Sequence, residues 1–147
     1  MVRKSSTGID KAVEEYLSWP KEKQEKFELL ARSTRARELD FGVDGFKEFY
    51  WCIWRREMPP YAEEWVESFA SGEWTILECF RGSTKSTTLS VTFPAYCLGK
   101  EPWTSVLIVQ ANDDTASKTS SLIASIIKHY VGWKACFPNI VPDEERG

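Results

Sequence analysis

Histidine is nearly absent from this sequence, and its cysteines are not clustered. The only histidine is His129, and the four cysteines are widely and irregularly spaced, at Cys52, Cys79, Cys97 and Cys136. No zinc-ligand spacing can be found among them, so the sequence predicts no structural metal site. Isolated cysteines of this kind are typical of buried free thiols in a reducing compartment.

Long hydrophobic runs and an excess of positive charge are also missing. No segment approaches the roughly 18 apolar residues of a membrane-spanning helix, and the polar N-terminus lacks the apolar stretch of a signal peptide. These absences predict a soluble protein that is not secreted. The formal net charge is −3, which gives no general attraction for DNA, so any contact with nucleic acid is expected to be local.

What the chain does contain is enough apolar material for one ordinary domain. Of its 147 residues, 42% are hydrophobic and 14% aromatic, a composition that can build a core.

Helical periodicity marks the first half. It predicts a helix that ends near Trp19-Pro20, a largely exposed helix from Lys21 to Leu39, an aromatic helix that starts at Asp44 as N-cap, and a helix from Ala62 to Ala70 after the Pro59-Pro60 break.

The pattern then changes to alternating element types. Short apolar runs predict strands from Trp74 to Cys79 and from Ser105 to Gln110, and helices are predicted from Lys85 to Leu98, with a kink at Pro94, and from Asp113 to Tyr130. Strand, helix, strand, helix is the order of an α/β fold with a parallel sheet. We therefore expect an N-terminal helical extension over residues 1–43 and an incomplete α/β domain over residues 44–147, with a loop-like tail from Gly132.

The most informative stretch joins the first predicted strand to its helix, and we call its residues 81–87 the Lys-Ser loop. A triphosphate site needs converging backbone N–H groups, a lysine for the β- and γ-phosphates and a hydroxyl for Mg²⁺. The pattern G-x-x-x-x-G-K-[ST] matches imperfectly, because Cys79 and Thr84 stand where glycines are usual. The alternative is a solvated Ser/Thr turn before a helix. The candidate nucleotide-binding residues are Arg81, Gly82, Ser83, Thr84, Lys85, Ser86 and Thr87.

Several segments in order resemble the large terminase subunit of tailed bacteriophages, the ATP-driven motor that packages viral DNA. They are the aromatic helix Phe46–Trp54, the Pro59-Pro60 connection, Glu63-Glu64-Trp65, the stretch Phe80–Thr87, and Val106–Ala111. The resemblance covers residues 46–127 and implies a P-loop NTPase fold. It also implies ATP and Mg²⁺ as cofactors, double-stranded DNA, a portal and a small terminase subunit as partners, and the cytoplasm of an infected bacterium as location. Homo-oligomers would fit such a motor.

The resemblance also implies roles for single residues. Lys85 would neutralise charge on the β- and γ-phosphates, and Ser86 would bind the Mg²⁺ of the nucleotide. Arg81 would sense or stabilise the γ-phosphate, as an arginine finger supplied in cis does; its alternative role is a surface cation paired with Glu78 or another acid. Tyr61 is a candidate adenine contact, although an aromatic beside a Pro-Pro turn also suits a core position.

The chain departs from the family at three points. The glutamine that reads adenine is missing, and so are the second acidic strand and the nuclease domain. Asp113-Asp114 follow the second predicted strand too late and fit the N-terminus of a helix better. We therefore expect ATP binding with little hydrolysis. The alternative is a non-catalytic interaction module, or a fragment of a split gene, that docks through its aromatic helices.

Overall fold

The computed structural model describes residues 8–143, and every regular element within that range is helical. The α-helices in the first half are α1 (Gly8–Ser18), α2 (Lys21–Glu38), α3 (Val43–Trp54) and α4 (Glu63–Ala70), with a 3₁₀ turn at Pro60–Ala62. The second half contains a π-helix (Ser86–Thr92), α5 (Phe93–Lys100), α6 (Asp113–His129) and α7 (Val131–Cys136).

The predicted parallel sheet is wrong. Residues 73–80 and 104–110, which include both predicted strands, are irregular and pair with no strand among the described residues. Most of their large apolar side chains are exposed, including Ile76 at 95% and Leu107 at 87%, while Leu77 and Ile108 are partly buried against the core. A short apolar run favours a strand only where neighbouring strands complete the hydrogen-bond ladder and another layer covers it. No strand pairs with either run in the described structure, so the α/β fold class is corrected to an all-helical one for residues 8–143.

The hydrophobic core is centred on α3. Three of its aromatic side chains, Phe46, Phe49 and Tyr50, are fully buried. Phe49 packs with Tyr96 of α5 and Trp133 of α7, and Phe46 packs with Tyr96 and Tyr50. These aromatic rings meet mostly in tilted or edge-to-face arrangements, which their quadrupoles favour. The amphipathic face predicted for this helix therefore forms the centre of the domain.

Helix α7 approaches α3 very closely, and a glycine makes this possible. A Cβ built on Gly132 would lie 2.0 Å from the backbone oxygen of Cys52. Only a residue without a side chain can occupy this contact. The close approach also buries Trp133 and Cys136. The prediction that the chain from Gly132 onward is a loop is therefore wrong for the residues that belong to α7.

Helix α2 lies across α3 and keeps its other face in water. Only Ser33 and Ala36 are buried within it, so the helix is largely exposed, as predicted. Ion pairs tie the two helices together, including a 3.1 Å contact between Arg35 and Glu48. In residues 8–143 no helix combines the length and apolar character needed to cross a membrane.

Most predicted helix boundaries agree with the structure to within two residues. Helix α1 ends at Ser18, shortly before the Trp19-Pro20 break, and α4 ends before Ser71-Gly72. Asp44 lies in the first turn of α3, and Gly42, not Asp44, occupies the N-cap position. Pro94 lies in the first turn of α5, just after the π-helix ends, so the irregularity predicted there takes the form of a change in helical type.

Candidate functional site

The Lys-Ser loop turns sharply and leads directly into a helix. Gly82 and Thr84 both have positive φ angles, of 86° and 62°, while Lys85 is already right-handed helical. A positive φ is easy for glycine but uncommon for a β-branched residue such as Thr84. Left-handed and right-handed residues in succession point neighbouring N–H groups toward one side and form anion-binding concavities.

A single cavity of about 440 Å³ is lined by nine consecutive residues, Cys79 through Thr87. All seven candidate nucleotide-binding residues are among them, so the structure brings the predicted set together around one space. The volume lies within the range of roughly 300–1,000 Å³ that is usual for small-molecule sites. The loop keeps this concave form although the predicted sheet beneath it is absent from the described residues.

The two cations of the loop are free of acidic partners in the described part of the chain. Arg81 is exposed and Lys85 is partly buried. No carboxylate among residues 8–143 lies within ion-pair distance of either, so the alternative pairing of Arg81 with Glu78 is not formed there. The helix that follows also carries no acidic residue in its first turn. Because no carboxylate occupies this end of the helix, it is open to an anionic ligand.

Two buried hydroxyls, one within the loop and one directly after it, lack hydrogen-bond partners among the described residues. The Oγ1 atoms of Thr84 and Thr88 are shielded from solvent and bond to no other described group. Buried polar atoms are almost always hydrogen-bonded in folded proteins, so an exception calls for an explanation such as a missing ligand or water. Thr84 lines the cavity, and its hydroxyl is therefore a candidate donor to a bound phosphate.

Tyr61 lies against the loop, but its hydroxyl contacts the backbone. The hydroxyl donates a hydrogen bond of 3.1 Å to the carbonyl oxygen of Ser83, and the ring packs on Trp65 and Phe80 with centroid separations of 5.3 and 6.1 Å. The structure thus brings this predicted site residue to the loop. Its role as an adenine contact stays a prediction.

The acidic pair Asp113-Asp114 lies in the first turn of α6, which confirms its interpretation as a helix terminus. The side chain of Asn112 caps this helix by accepting a 2.9 Å hydrogen bond from the backbone N–H of Thr115. Within residues 8–143 no three His, Cys, Asp or Glu side chains are grouped to hold a metal ion. Mg²⁺ would therefore depend on Ser86 and on the phosphates themselves.

Two residues beside the site were not identified from the sequence. The hydroxyl of Thr92 donates to the carbonyl oxygen of Thr87, and the indole N–H of Trp54 donates to Thr92. Thr92 follows Thr87 by five residues, a spacing that no helical periodicity signals. Trp54 belongs to another helix, so only the tertiary structure joins it to the loop.

Comparison of the chain with protein-family models, with curated proteins and with solved structures finds no match. The resemblance to terminases therefore remains a hypothesis that rests on the residues themselves.

Proposed function

We propose that the Lys-Ser loop binds the phosphates of ATP together with Mg²⁺. The observation that carries the proposal is that nine consecutive residues around Lys85 line one cavity, with two left-handed residues just before a helix begins. A left-handed residue followed by a right-handed one favours a concavity of N–H groups that suits a phosphate, and the positive end of the helix adds to the attraction.

The side chains of the loop supply complementary chemistry. Lys85 carries a positive charge to the β- and γ-phosphates, and Arg81 reaches the γ-phosphate from the exposed side. Ser86 offers the hydroxyl for Mg²⁺. The absence of ion pairs to these cations within the described residues supports this assignment, since neither charge is already neutralised. No stretch of the sequence matches the second acidic strand of terminases, which would orient the attacking water, so slow hydrolysis is expected.

In its wider setting, the protein is proposed to be the ATP-binding part of a viral DNA-packaging motor of the terminase type. Its partners would then be double-stranded DNA, a portal and a small terminase subunit, and it would act in the cytoplasm of the infected host, with homo-oligomers as one form. The order of the aromatic helix, the Pro-Pro break and the Arg-Gly-Ser-Thr-Lys-Ser loop supports this proposal. The sheet does not, because the described residues form none.

A second candidate function is an interaction module. The aromatic face of α3 cannot serve as its docking surface, because Phe46, Phe49 and Tyr50 are buried in the chain's own core. The observation that favours docking lies instead in the two irregular segments. Large apolar side chains are exposed in these segments or directly beside them, at Trp74, Ile76, Phe80, Trp103, Leu107 and Val109. Exposed apolar groups of this density are typical of contact surfaces.

Calorimetric titration with MgATP tests the leading proposal. Wild type should bind, and Lys85→Ala should weaken binding at least about tenfold, because a charge-assisted contact to phosphate is lost. Lys118→Ala removes an exposed lysine on α6 and is the matched control. Circular dichroism checks that each variant is folded. Equal affinity in wild type and folded Lys85→Ala would refute phosphate binding by this loop and would favour the interaction module.

A further inference from the structure

A chain of two hydrogen bonds connects α3 to the end of the Lys-Ser loop. The indole Nε1 of Trp54, the last residue of α3, donates to Oγ1 of Thr92 at 2.9 Å. The same hydroxyl donates to the carbonyl oxygen of Thr87 at 2.6 Å. Thr92 is fully buried, and its hydroxyl uses both its donor and an acceptor site. The last loop residue is thus held from a helix distant in sequence.

This connection depends on the π-helical geometry of Ser86–Thr92. In an α-helix, a threonine hydroxyl reaches the carbonyl three or four residues earlier. Here it reaches five residues back, and the backbone N–H of Phe93 likewise bonds to Thr88, five residues earlier. In an α-helical register, the hydroxyl of Thr92 would instead face the carbonyl of Thr88. The bond to Thr87 and the π register therefore support each other.

The π register in turn fixes where the loop enters its helix. Long π-helical stretches are rare, and those that persist occur frequently at functional sites. The backbone N–H of Thr88 bonds to the carbonyl of Thr84 at 2.9 Å, so Thr84, with its left-handed backbone, is the first anchor of this helix. A shift toward α geometry would rotate residues 85–87 relative to the cavity. The orientation of Lys85 and Ser86 thus depends on the register that Thr92 holds.

We infer that Thr92 and Trp54 are positioning residues that hold the Lys-Ser loop in its cavity-forming shape without contacting the ligand. The inference concerns the shape of the loop itself, and it rests on the proposed function only where ligand affinity is measured. The nearby Thr88 provides a contrast, because its hydroxyl is equally buried in the same helix but bonds to no described group.

Hydrogen exchange of the ligand-free protein tests the inference. Thr92→Val keeps the shape of the side chain and removes the hydroxyl, whereas Thr92→Ser keeps the hydroxyl. Thr88→Val is the matched control, because it removes a buried hydroxyl that bonds to no described group. Amides of residues 84–88 should exchange about 5–10 times faster in Thr92→Val, relative to the buried Ile126, because one hydrogen bond of ordinary strength is lost. Thr92→Ser and Thr88→Val should exchange at the wild-type rate.

Trp54→Phe provides a second route if Thr92→Val does not fold. It removes the indole donor, keeps an aromatic ring and should accelerate exchange at the same amides. It also assigns the Trp54 indole N–H resonance, which should shift in ligand-free Thr92→Val and remain in place in Thr88→Val. Equal exchange at residues 84–88 in wild type, Thr92→Val and Trp54→Phe would overturn the inference.

A MgATP titration separates this inference from the proposed function. Thr92→Val should bind about tenfold more weakly than Thr88→Val, since a misplaced Lys85 forfeits part of its phosphate contact. If wild type does not bind MgATP, the proposed function fails, and the exchange rates still decide whether Thr92 and Trp54 shape the loop.

Discussion

The hydroxyl of Tyr61 donates a 3.1 Å hydrogen bond to the carbonyl oxygen of Ser83, inside the Lys-Ser loop. In a trans peptide the carbonyl and the following N–H point in opposite directions. Holding the Ser83 carbonyl therefore also fixes the direction of the Thr84 N–H. Tyr61 directly follows Pro59-Pro60, so the segment that begins at this break contacts the Lys-Ser loop through the tyrosine hydroxyl.

Removing the Tyr61 hydroxyl should weaken phosphate binding. We expect Tyr61→Phe to bind both MgATP and pyrophosphate about 2–5 times more weakly, because a partly exposed hydrogen bond contributes at most about 1 kcal/mol. Calorimetry with each ligand measures the effect. If Tyr61 instead stacks on adenine, Tyr61→Phe will keep full ATP affinity, and Tyr61→Ala will lose affinity for ATP but not for pyrophosphate.

Gly132 should tolerate no side chain. An added Cβ would lie 2.0 Å from the Cys52 carbonyl oxygen, so Gly132→Ala should lower the free energy of unfolding by about 2–4 kcal/mol. In an open helical position, replacing glycine by alanine stabilises the helix by about 1 kcal/mol. A lower free energy of unfolding in Gly132→Ala would therefore indicate a steric clash. Urea denaturation measures the change. Gly8→Ala, at the start of α1 where nothing lies within 4 Å of the new Cβ, is the control and should be neutral or slightly stabilising. A stabilised Gly132→Ala would contradict the close packing of α7 on α3.

Leu107 distinguishes the helical fold from the predicted sheet. Its side chain is 87% exposed, so Leu107→Lys should change the free energy of unfolding by less than about 0.5 kcal/mol. In a central strand the same substitution would bury a charge and cost several times more. Ile126→Lys, at a buried position in α6, should cost more than about 3 kcal/mol and serves as the contrast. A large loss of stability in Leu107→Lys would mean that this segment is covered.

Stability should fall at alkaline pH because of Tyr96. Burial raises the pKa of its phenol to about 12, from an ordinary value near 10. The folded state thus favours the neutral phenol. The contribution of the neutral Tyr96 phenol to the free energy of unfolding is complete below pH 10 and is lost as the pH rises toward 12. Between pH 9 and 11, wild type should lose about 1.4 kcal/mol more unfolding free energy than Tyr96→Phe. Cys97, whose pKa burial also raises to about 11, is present in both proteins and cancels. Parallel losses in the two proteins would contradict the shift.

The helices of the first half could be predicted because their signals are local. The periodic apolar residues of α3 and the breaks at Pro20 and Pro59-Pro60 depend only on neighbouring sequence. The conformation of the apolar run from Val106 to Val109, in contrast, does not depend only on neighbouring sequence. Such a run is a strand only if partners pair with it, and the sequence cannot show whether they do. Helix α7 was missed because it is short and its packing depends on the contact between Gly132 and Cys52.

For the candidate site, sequence pattern was sufficient to gather residues 81–87, since they are consecutive and all line one cavity. The contacts that support the loop were harder to predict. The sequence connects Tyr61 with the loop only through the family resemblance, and it contains no signal that indicates a role for Thr92. Its bond to Thr87 depends on a π register, and its bond to Trp54 depends on how α3 packs, neither of which has a local sequence signature.

The most direct test of phosphate binding by the Lys-Ser loop is to follow backbone amide resonances while ligand is added. MgATP, MgADP and pyrophosphate should each shift the amides of residues 82–87, and adenosine should leave them unchanged, because the phosphates and not the base contact the loop. Amides of α2, which packs on α3 and α7, serve as the internal reference. Saturating MgATP that leaves residues 82–87 unshifted, or that shifts only residues elsewhere in the chain, would contradict a phosphate site at this loop.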